Sequence, residues 1–224
     1  MIKAIVFDFD GVIIDTETPL YQSWQEIFKT YDAHLEISVV TRLIGTAESF
    51  DVVQHLEDLT GITFDREKLN AQRRKRYLSL IDDSPLMDGV ADYIDAAAGH
   101  KIGLGVASSS DRNWLTTHLT ARGIIEKFGT VKSRDDVAQA KPAPDLFLAA
   151  VEALGVLPEE AIAIEDSANG ATAAKNAGLY TVVVPNDMTR DLNFDHADLR
   201  LDSLAAMPLA QLVQHANGDG ASKS

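Results

Sequence analysis

The feature that most restricts the fold of this chain is a short apolar run, rich in β-branched residues, that recurs along the sequence. The clearest runs span residues 3–7, 102–107, 161–164 and 180–184, and residues 130–132 form a weaker one. Helical patterns fill residues 112–122, 144–154 and 168–177, between these runs. Such runs are typical of strands that are buried on both faces. The alternation of strand and helix therefore predicts an α/β fold, with a parallel sheet covered by helices on both sides.

Residues 16–84 interrupt this alternation. They contain no convincing strand, and three segments have the pattern of amphipathic helices, namely residues 21–31, 49–60 and 66–81. A helical insert directly after the first strand suggests a lid over the sheet. We predict a core domain of residues 1–15 and 85–216 and a helical cap of residues 16–84. Residues 217–224 are rich in Gly, Ser and Ala, and we expect them to form a disordered tail.

Charge and composition exclude several classes of function. The net charge of −14 predicts that the chain repels nucleic acid and anionic membranes, so we expect neither as a partner. The absence of cysteine excludes disulfides, thiolate metal sites and cysteine nucleophiles. The apolar run at residues 3–7 is too short for a signal peptide or a membrane span, so a cytoplasmic location is the default expectation. A chain this acidic would have to bind an anion through a few placed cations.

Two pairs of acidic residues follow predicted strands. Asp8 and Asp10 come at the end of the first strand, where residues two apart share a face, and Glu165 and Asp166 follow residues 161–164. A turn would explain the first pair, and the acidic first turn of a helix would explain the second. However, like charges at the end of a buried strand are costly without a cation. Four carboxylates at two strand ends therefore predict an oxygen-rich site suited to Mg²⁺.

Hydroxyl groups and one lysine complete the set of candidate residues. Ser108, Ser109 and Ser110 follow a predicted strand, and their hydroxyl and N–H groups could hold phosphate oxygens at a helix start. Capping of the helix that begins near residue 112 is the alternative role. Lys141 lies in a loop that two prolines stiffen, which fixes where its side chain emerges. A solvated surface lysine is the alternative there.

The candidate residues, taken in chain order, resemble the four motifs of the haloacid dehalogenase (HAD) superfamily. These motifs are Asp8-Phe9-Asp10-Gly11-Val12, Ser108, Lys141 with Pro142 and Pro144, and Glu165-Asp166-Ser167. The closest resemblance is to the subfamily of β-phosphoglucomutase and small phosphatases, whose members carry a helical cap between the first and second motifs. The resemblance implies a Rossmann-like parallel core with an inserted all-helical cap.

The resemblance also implies a role for each candidate residue. Asp8 is similar to the nucleophile that forms an aspartyl phosphate, and Asp10 to the general acid and base. Substrate phosphate would be bound by the serine run, at Ser108 and Ser109, and balanced by the charge of Lys141. The implied cofactor is Mg²⁺, with ligands from Asp8, the backbone carbonyl of Asp10, Asp166, and Glu165 either directly or through water. The implied substrate is a small phosphorylated metabolite, such as a sugar phosphate monoester.

Asp10 separates this chain from other branches of the superfamily. Dehalogenases of the superfamily lack an aspartate at this second position, and phosphonate hydrolases carry a small residue there. The resemblance therefore implies hydrolysis of a phosphate ester. A binding or regulatory protein that keeps the fold without turnover is an alternative of another class. Such a protein would be expected to have lost Asp8 or Asp10, and both are present.

Phosphatase and phosphomutase are harder to separate. β-Phosphoglucomutases place an arginine just after the glycine of the cap turn, where it serves a second phosphate site. Here Gly45 is followed by Thr46, Ala47 and Glu48, so we predict a phosphatase. Arg42 and the basic run of residues 73–76 keep the mutase alternative open, because one of these cations could take the missing role.

Overall fold

One parallel sheet forms the centre of the computed structural model, which describes residues 1–41, 50–82 and 84–221. In chain order its strands are β1 (Ala4–Phe7), β2 (Gly103–Ala107), β3 (Thr130–Lys132), β4 (Ala161–Glu165), β5 (Tyr180–Val183) and β6 (Leu199–Arg200). Their spatial order is β3-β2-β1-β4-β5-β6, and every pairing between these strands is parallel. The predicted α/β fold is thereby confirmed, including the weaker strand at residues 130–132. The two-residue strand β6 was not predicted, because two residues carry no periodic pattern.

Helices cover the sheet and fill the insert. In chain order the described α-helices are α1 (Glu17–Thr30), α2 (Ile37–Thr41), α3 (Val52–Thr60), α4 (Arg66–Asp82), α5 (Val90–His100), α6 (Arg112–Ala121), α7 (Asp145–Leu154), α8 (Ala168–Ala177) and α9 (Leu209–Ala221). None of them is both long and apolar enough to cross a membrane.

Alternation along the strands divides the core between the two faces of the sheet. On β1, Ile5 and Phe7 pack into a large apolar cluster with α5, α6 and α9. Ala4 and Val6 point to the opposite face, into a cluster with α7 and α8. The second face is lined largely by alanine, which allows helices to lie close to the strands. Burial on both faces explains why the strands are continuous apolar runs rather than alternating ones.

The insert has an apolar cluster of its own. Trp24 and Phe28 of α1 pack with Leu56 of α3 and Leu69 of α4, and Met188, from the loop after β5, joins them. No strand of the sheet falls between residues 16 and 84 in the part of that segment that the structure describes. The division into core and cap at residues 15 and 85 stays a prediction. The cap turn at residues 45–48 and Arg42 lie outside the described residues.

Two boundaries differ most from those expected from the sequence, and several others differ by a residue or a few. Helix α1 begins at Glu17 rather than near residue 21, because the Asp15 side chain accepts hydrogen bonds from the N–H groups of Glu17 and Thr18. Residues 217–221, expected to belong to a disordered tail, instead continue helix α9. The Asn217 side chain accepts a hydrogen bond from the N–H of Ile2 at 2.8 Å, which anchors this end of the chain to the core. Residues 222–224 lie outside the described residues.

Candidate active site

Neighbouring strands end at one edge of the sheet and bring the predicted site residues together there. Strand β1 pairs with β2 on one side and with β4 on the other, so the residues that follow these strands are neighbours. The N–H of Asp8 donates to the carbonyl of Ile164 at 2.8 Å, which continues the ladder past the end of β1. Ser108 follows β2, and Glu165 ends β4. Asp8, Ser108 and Glu165 are all buried.

Lys141 is a buried cation between two of these carboxylates. Its Nζ lies 2.8 Å from Oδ1 of Asp8 and 2.5 Å from Oε1 of Glu165, and its side chain is only 6% exposed. Burial alone would lower the pKa of Lys141, but the attraction of Asp8 and Glu165 outweighs it and the pKa is raised. Lys141 is therefore a charged part of the site and not a solvated surface lysine.

Glu165 joins Lys141 to the start of helix α8. Its Oε2 accepts hydrogen bonds from the N–H groups of Asp166 and Ser167 at 3.1 and 3.3 Å, and from the Ser167 hydroxyl at 3.1 Å. Ser167 in turn caps α8 by accepting from the N–H of Gly170 at 3.0 Å. A Cβ atom on Gly170 would clash with the Glu165 carboxyl group, so this approach requires a glycine.

Asp8, Glu165 and Asp166 form a buried cluster of oxygen donors. Each offers one carboxylate oxygen, and these atoms lie within 4.8 Å of one another. Burial raises the pKa of Asp8 to about 7, although Lys141 opposes the shift, and burial also raises the pKa of Asp166 well above its usual range. The buried negative charge therefore exceeds what Lys141 neutralises. A hard divalent cation fits this donor set, and the cluster could hold a metal ion.

Asn186 connects this cluster to the first helix of the insert. Its Nδ2 donates to Oδ2 of Asp166 at 2.8 Å and to Oε2 of Glu17 at 2.7 Å. Its Oδ1 accepts from the N–H groups of Met188 and Thr189, which fixes the orientation of the amide. Burial raises the pKa of Glu17 to about 8, and the hydrogen bond from Asn186 only partly offsets the shift. The first turn of α1 is thereby tied to the proposed metal cluster.

The carboxylate of Asp10 lies in a separate environment. Its Oδ2 accepts hydrogen bonds from the hydroxyls of Ser110 at 2.6 Å and Ser108 at 3.3 Å. Its Oδ1 accepts from Nε1 of Trp114 at 3.0 Å. The Ser109 side chain is exposed, so within the serine run it is Ser110 rather than Ser109 that reaches Asp10 alongside Ser108.

A family model described as haloacid dehalogenase-like hydrolase matches residues 5–184. The chain belongs to this family. YhcW of Bacillus subtilis (strain 168), whose name describes it as a candidate phosphatase, is 43% identical over 97% of this chain and 99% of its own length. The phosphorylated carbohydrates phosphatase of Thermotoga maritima is 25% identical over 80% of this chain and 83% of its own length.

A solved structure supports the same assignment. It is the crystal structure of a CbbY variant from Rhodobacter sphaeroides in complex with xylulose-(1,5)bisphosphate. The TM-score is 0.75 at 31% sequence identity, and the alignment covers 95% of this chain and 99% of that one. The resemblance to the HAD superfamily is thus confirmed, and the protein is an enzyme of the phosphatase class within it.

Three contributors to this HAD site were not predicted from the sequence. Trp114 contacts Asp10, which lies 104 residues away in the chain. Asn186 contacts Asp166, 20 residues away, and Glu17, 169 residues away. No local pattern marks such contacts. Ser110 had a signal, since it belongs to the serine run that was recognised as a possible phosphate site.

Gly11 shows why a glycine follows the two aspartates of the first motif. Its φ of +75° lies in the left-handed region that favours glycine. A Cβ atom there would also lie 2.8 Å from both Cγ of Asp166 and Nδ2 of Asn186. The glycine in the turn after Asp10 therefore permits the close approach of Asp166 and Asn186.

Proposed function

We propose that this protein is a Mg²⁺-dependent phosphatase that hydrolyses a small, sugar-type phosphate monoester through a phosphoryl group carried on Asp8. The observation that carries the proposal is the environment of Asp8. Its buried carboxylate lies 2.8 Å from Lys141 and belongs to the same oxygen cluster as Asp166. A carboxylate nucleophile needs positive charge beside itself and beside the phosphate, because the phosphate that it attacks is also an anion.

The size of that repulsion explains the need for cations. Two unit charges about 4 Å apart repel by about 4 kcal/mol at an effective dielectric constant of about 20. Lys141 supplies one compensating charge at the nucleophile. A bound Mg²⁺ would supply the rest by neutralising the phosphate oxygens, and Asp8, Asp166 and the backbone carbonyl of Asp10 would hold it. Glu165 contacts Lys141 and the start of α8, which supports a role in positioning Lys141. This role is compatible with Glu165 also binding the ion, directly or through water.

Asp10 would serve as the general acid and then as the general base. It protonates the leaving oxygen of the ester as the phosphoryl group moves to Asp8, and then removes a proton from the water that releases phosphate. Its separation from the carboxylate cluster supports this division of labour, since its carboxylate contacts hydroxyl and indole donors instead. The Ser108 hydroxyl and the backbone N–H of Ser109 would bind the transferred phosphoryl group.

The substrate class follows from relatives and from charge. The Thermotoga relative is named for phosphorylated carbohydrates, and the CbbY variant was crystallised with a sugar bisphosphate. These names support a small phosphorylated sugar as the substrate of this chain. The net charge of −14 is consistent with the expectation that neither nucleic acid nor membrane is a partner, and the cytoplasmic location remains a prediction from the sequence.

The insert would act as the cap that selects the substrate, and its arginines bear on the mutase alternative. Arg66 pairs with Asp51 and Glu57, and Arg76 pairs with Glu26. Arg73 takes part in none of the ion pairs among the described residues, and its guanidinium lies 5.4 Å from the rings of both Trp24 and Tyr77. A half-buried cation without a carboxylate partner keeps a second phosphate site, and hence a phosphomutase, as the second candidate.

A screen of several dozen phosphate esters with Mg²⁺ tests the main proposal, with the Asp8→Asn protein run alongside. We expect phosphate release by the unmodified protein, none with EDTA, and none from Asp8→Asn, because an amide oxygen is a poor nucleophile and a weak metal ligand. Asp166→Ala should raise the Mg²⁺ concentration that activity requires. Substantial turnover by purified Asp8→Asn would refute the mechanism, and no turnover of any ester by the unmodified protein would favour a binding protein.

The fate of the phosphoryl group separates phosphatase from mutase. The protein is incubated with Mg²⁺, β-glucose 1-phosphate and a trace of the 1,6-bisphosphate, and both glucose 6-phosphate and inorganic phosphate are followed. We expect inorganic phosphate to accumulate first, because transfer to water needs no second phosphate site. Glucose 6-phosphate that accumulates well ahead of phosphate would instead establish a mutase.

A further inference from the structure

We propose that Trp114 is a positioning residue that fixes the carboxylate of Asp10 and links its orientation to helix α4 of the insert. The proposal rests on the role proposed above for Asp10 as the acid that protonates the leaving oxygen. It assigns a function to a tryptophan that lies outside the four sequence motifs.

The first observation is that both oxygens of Asp10 are held. Trp114 donates to Oδ1 at 3.0 Å, while Ser110 and Ser108 donate to Oδ2. Donors on both oxygens of a planar group fix its rotation as well as its position. Trp114 is the one of these three donors with a large, rigid ring, so the position of that ring sets the orientation of the carboxylate. Removing its N–H would leave Oδ1 without that partner.

The second observation is that the indole ring lies between the core and the insert. Its backbone is fixed at the start of α6, where the Asp111 side chain accepts from the Trp114 N–H at 2.8 Å. On the core side the ring meets His118 edge to face, with centroids 4.1 Å apart. On the other side it is stacked on Tyr77 of α4, with centroids 5.9 Å apart and planes only 4° from parallel.

The third observation is a second link between the same two helices. Arg122, the residue directly after the C-terminal end of α6, donates to the carbonyls of Ile81 and Ser84 at 2.9 Å each. These carbonyls lie at the end of α4 and in the segment that returns to the core. Helix α6 and the residue that follows it therefore contact Asp10 at one end and the end of α4 at the other. A displacement of α4 would disturb the Tyr77 stack first, and through it the indole that holds Asp10.

Leaving-group dependence separates this role from simple packing. If Trp114 only filled space, its replacement would slow every substrate by a similar factor. If it positions the acid, the loss falls on esters whose leaving oxygen must be protonated, and it spares p-nitrophenyl phosphate, whose leaving group departs as a stable anion. The Trp114→Phe variant is suitable because it keeps an aromatic ring that can stack on Tyr77, while it removes the N–H donor together with the five-membered ring that carries it.

The experiment measures kcat and KM of each variant for p-nitrophenyl phosphate and for the sugar phosphate that the unmodified protein hydrolyses fastest. For Trp114→Phe we expect kcat on the sugar phosphate to fall on the order of tenfold, as for loss of one hydrogen bond to a charged group, with a much smaller change on p-nitrophenyl phosphate. Tyr77→Leu, which removes the stack, should show the same selectivity. Trp24→Phe serves as the matched control and should change both substrates by the same factor.

A double-mutant cycle with Asp10→Ala tests whether Trp114 acts through Asp10. In the Asp10→Ala background, Trp114→Phe should cause no further selective loss, because the group that it positions is gone. Trp114→His keeps a ring N–H, so its kcat on the sugar phosphate should be higher than that of Trp114→Phe. It also provides a second variant in case Trp114→Phe fails to fold. If Asp10→Ala lowers kcat mainly on the sugar phosphate but Trp114→Phe lowers kcat equally on both substrates, this inference is overturned and the acid role of Asp10 stands. Equal loss on both substrates in Asp10→Ala would overturn the acid role as well.

Discussion

Replacing Lys141 by methionine would keep most of the volume of this side chain and remove the only charge that it contributes to the site. Lys141 lies 2.8 Å from Asp8 and 2.5 Å from Glu165, with its side chain 6% exposed. The variant therefore leaves two buried carboxylates that have lost their shared cation. Because the Glu165 side chain is fully buried and that of Asp8 is only 11% exposed, water compensates little for the lost charge, and we expect a large loss of stability.

The magnitude follows from the distances. At an effective dielectric constant of about 20, a unit charge pair 2.8 Å apart attracts by about 6 kcal/mol, and the cost of desolvating the charges offsets much of this. Removing one partner of a buried pair typically lowers the free energy of unfolding by about 3–5 kcal/mol. For a chain of this size, that loss corresponds to a fall in Tm on the order of 10 °C.

Lys3 offers a matched control. Its Nζ lies 2.5 Å from Oε1 of Glu160, as close as Lys141 lies to Glu165, but the Lys3 side chain is 56% exposed. Water screens an exposed pair, so Lys3→Met should change Tm only slightly. Thermal unfolding of both variants in EDTA, where no metal ion can replace the lost charge, compares two ion pairs that differ mainly in burial.

The pH dependence gives a second check with a defined sign. The pKa of Asp8 is raised from 3.8 to about 7 in the folded protein, so the folded state binds this proton more tightly than the unfolded chain. The stability that this carboxyl contributes is present at low pH and is lost as the pH rises through 7. Without Lys141 the pKa of Asp8 rises further, so the deficit of Lys141→Met should be greater at pH 8 than at pH 5. Equal losses for Lys141→Met and Lys3→Met, or a deficit that shrinks as the pH rises, would refute this reasoning.

Three further predictions concern other parts of the fold. Gly170→Ala should lower Tm because its Cβ would clash with the Glu165 carboxyl group, whereas Gly99→Ala in α5, with open space around it, should stabilise by up to about 1 kcal/mol. Arg122→Met should increase hydrogen exchange around residues 81–86 and leave α9 unchanged, since it removes the hydrogen bonds to the end of α4. Burial lowers the pKa of His118, so the unfolded chain takes up this proton at a higher pH than the folded protein, and acid lowers stability. In urea unfolding, the free energy of unfolding should therefore fall less between pH 7.5 and pH 5.5 in His118→Phe than in the unmodified protein.

The sequence alone determined the strand–helix repeat and, with it, where the chemistry lies. Apolar runs that alternate with helical patterns are typical of central parallel strands, and parallel strands end at a common edge. Asp8, Ser108 and Glu165 were therefore placed together by short-range patterns, and the structure finds them side by side. The family resemblance followed from the same residues, because their order along the chain is itself local information.

Other features depended on contacts between distant parts of the chain. The disordered tail was expected from composition, yet α9 continues to Ala221, and Asn217 is bonded to Ile2 at the other end of the chain. The start of α1 depended on the single side chain of Asp15, which a periodic pattern does not register. In both cases the side chain of one residue, Asp15 or Asn217, accepts the hydrogen bonds that accompany the shifted boundary.

The surroundings of each catalytic candidate were decided by the tertiary structure. The sequence marked Ser108 to Ser110 as a group, but only the direction of each side chain shows that Ser110 faces Asp10 while Ser109 faces solvent. Trp114 and Asn186 reach their carboxylates because packed helices and loops bring together residues far apart in the chain. Periodicity specifies which face of an element is buried. The partner that a polar side chain meets there depends on how all the elements pack. The sequence could therefore locate the site, whereas the contacts of each residue within it depended on the tertiary structure.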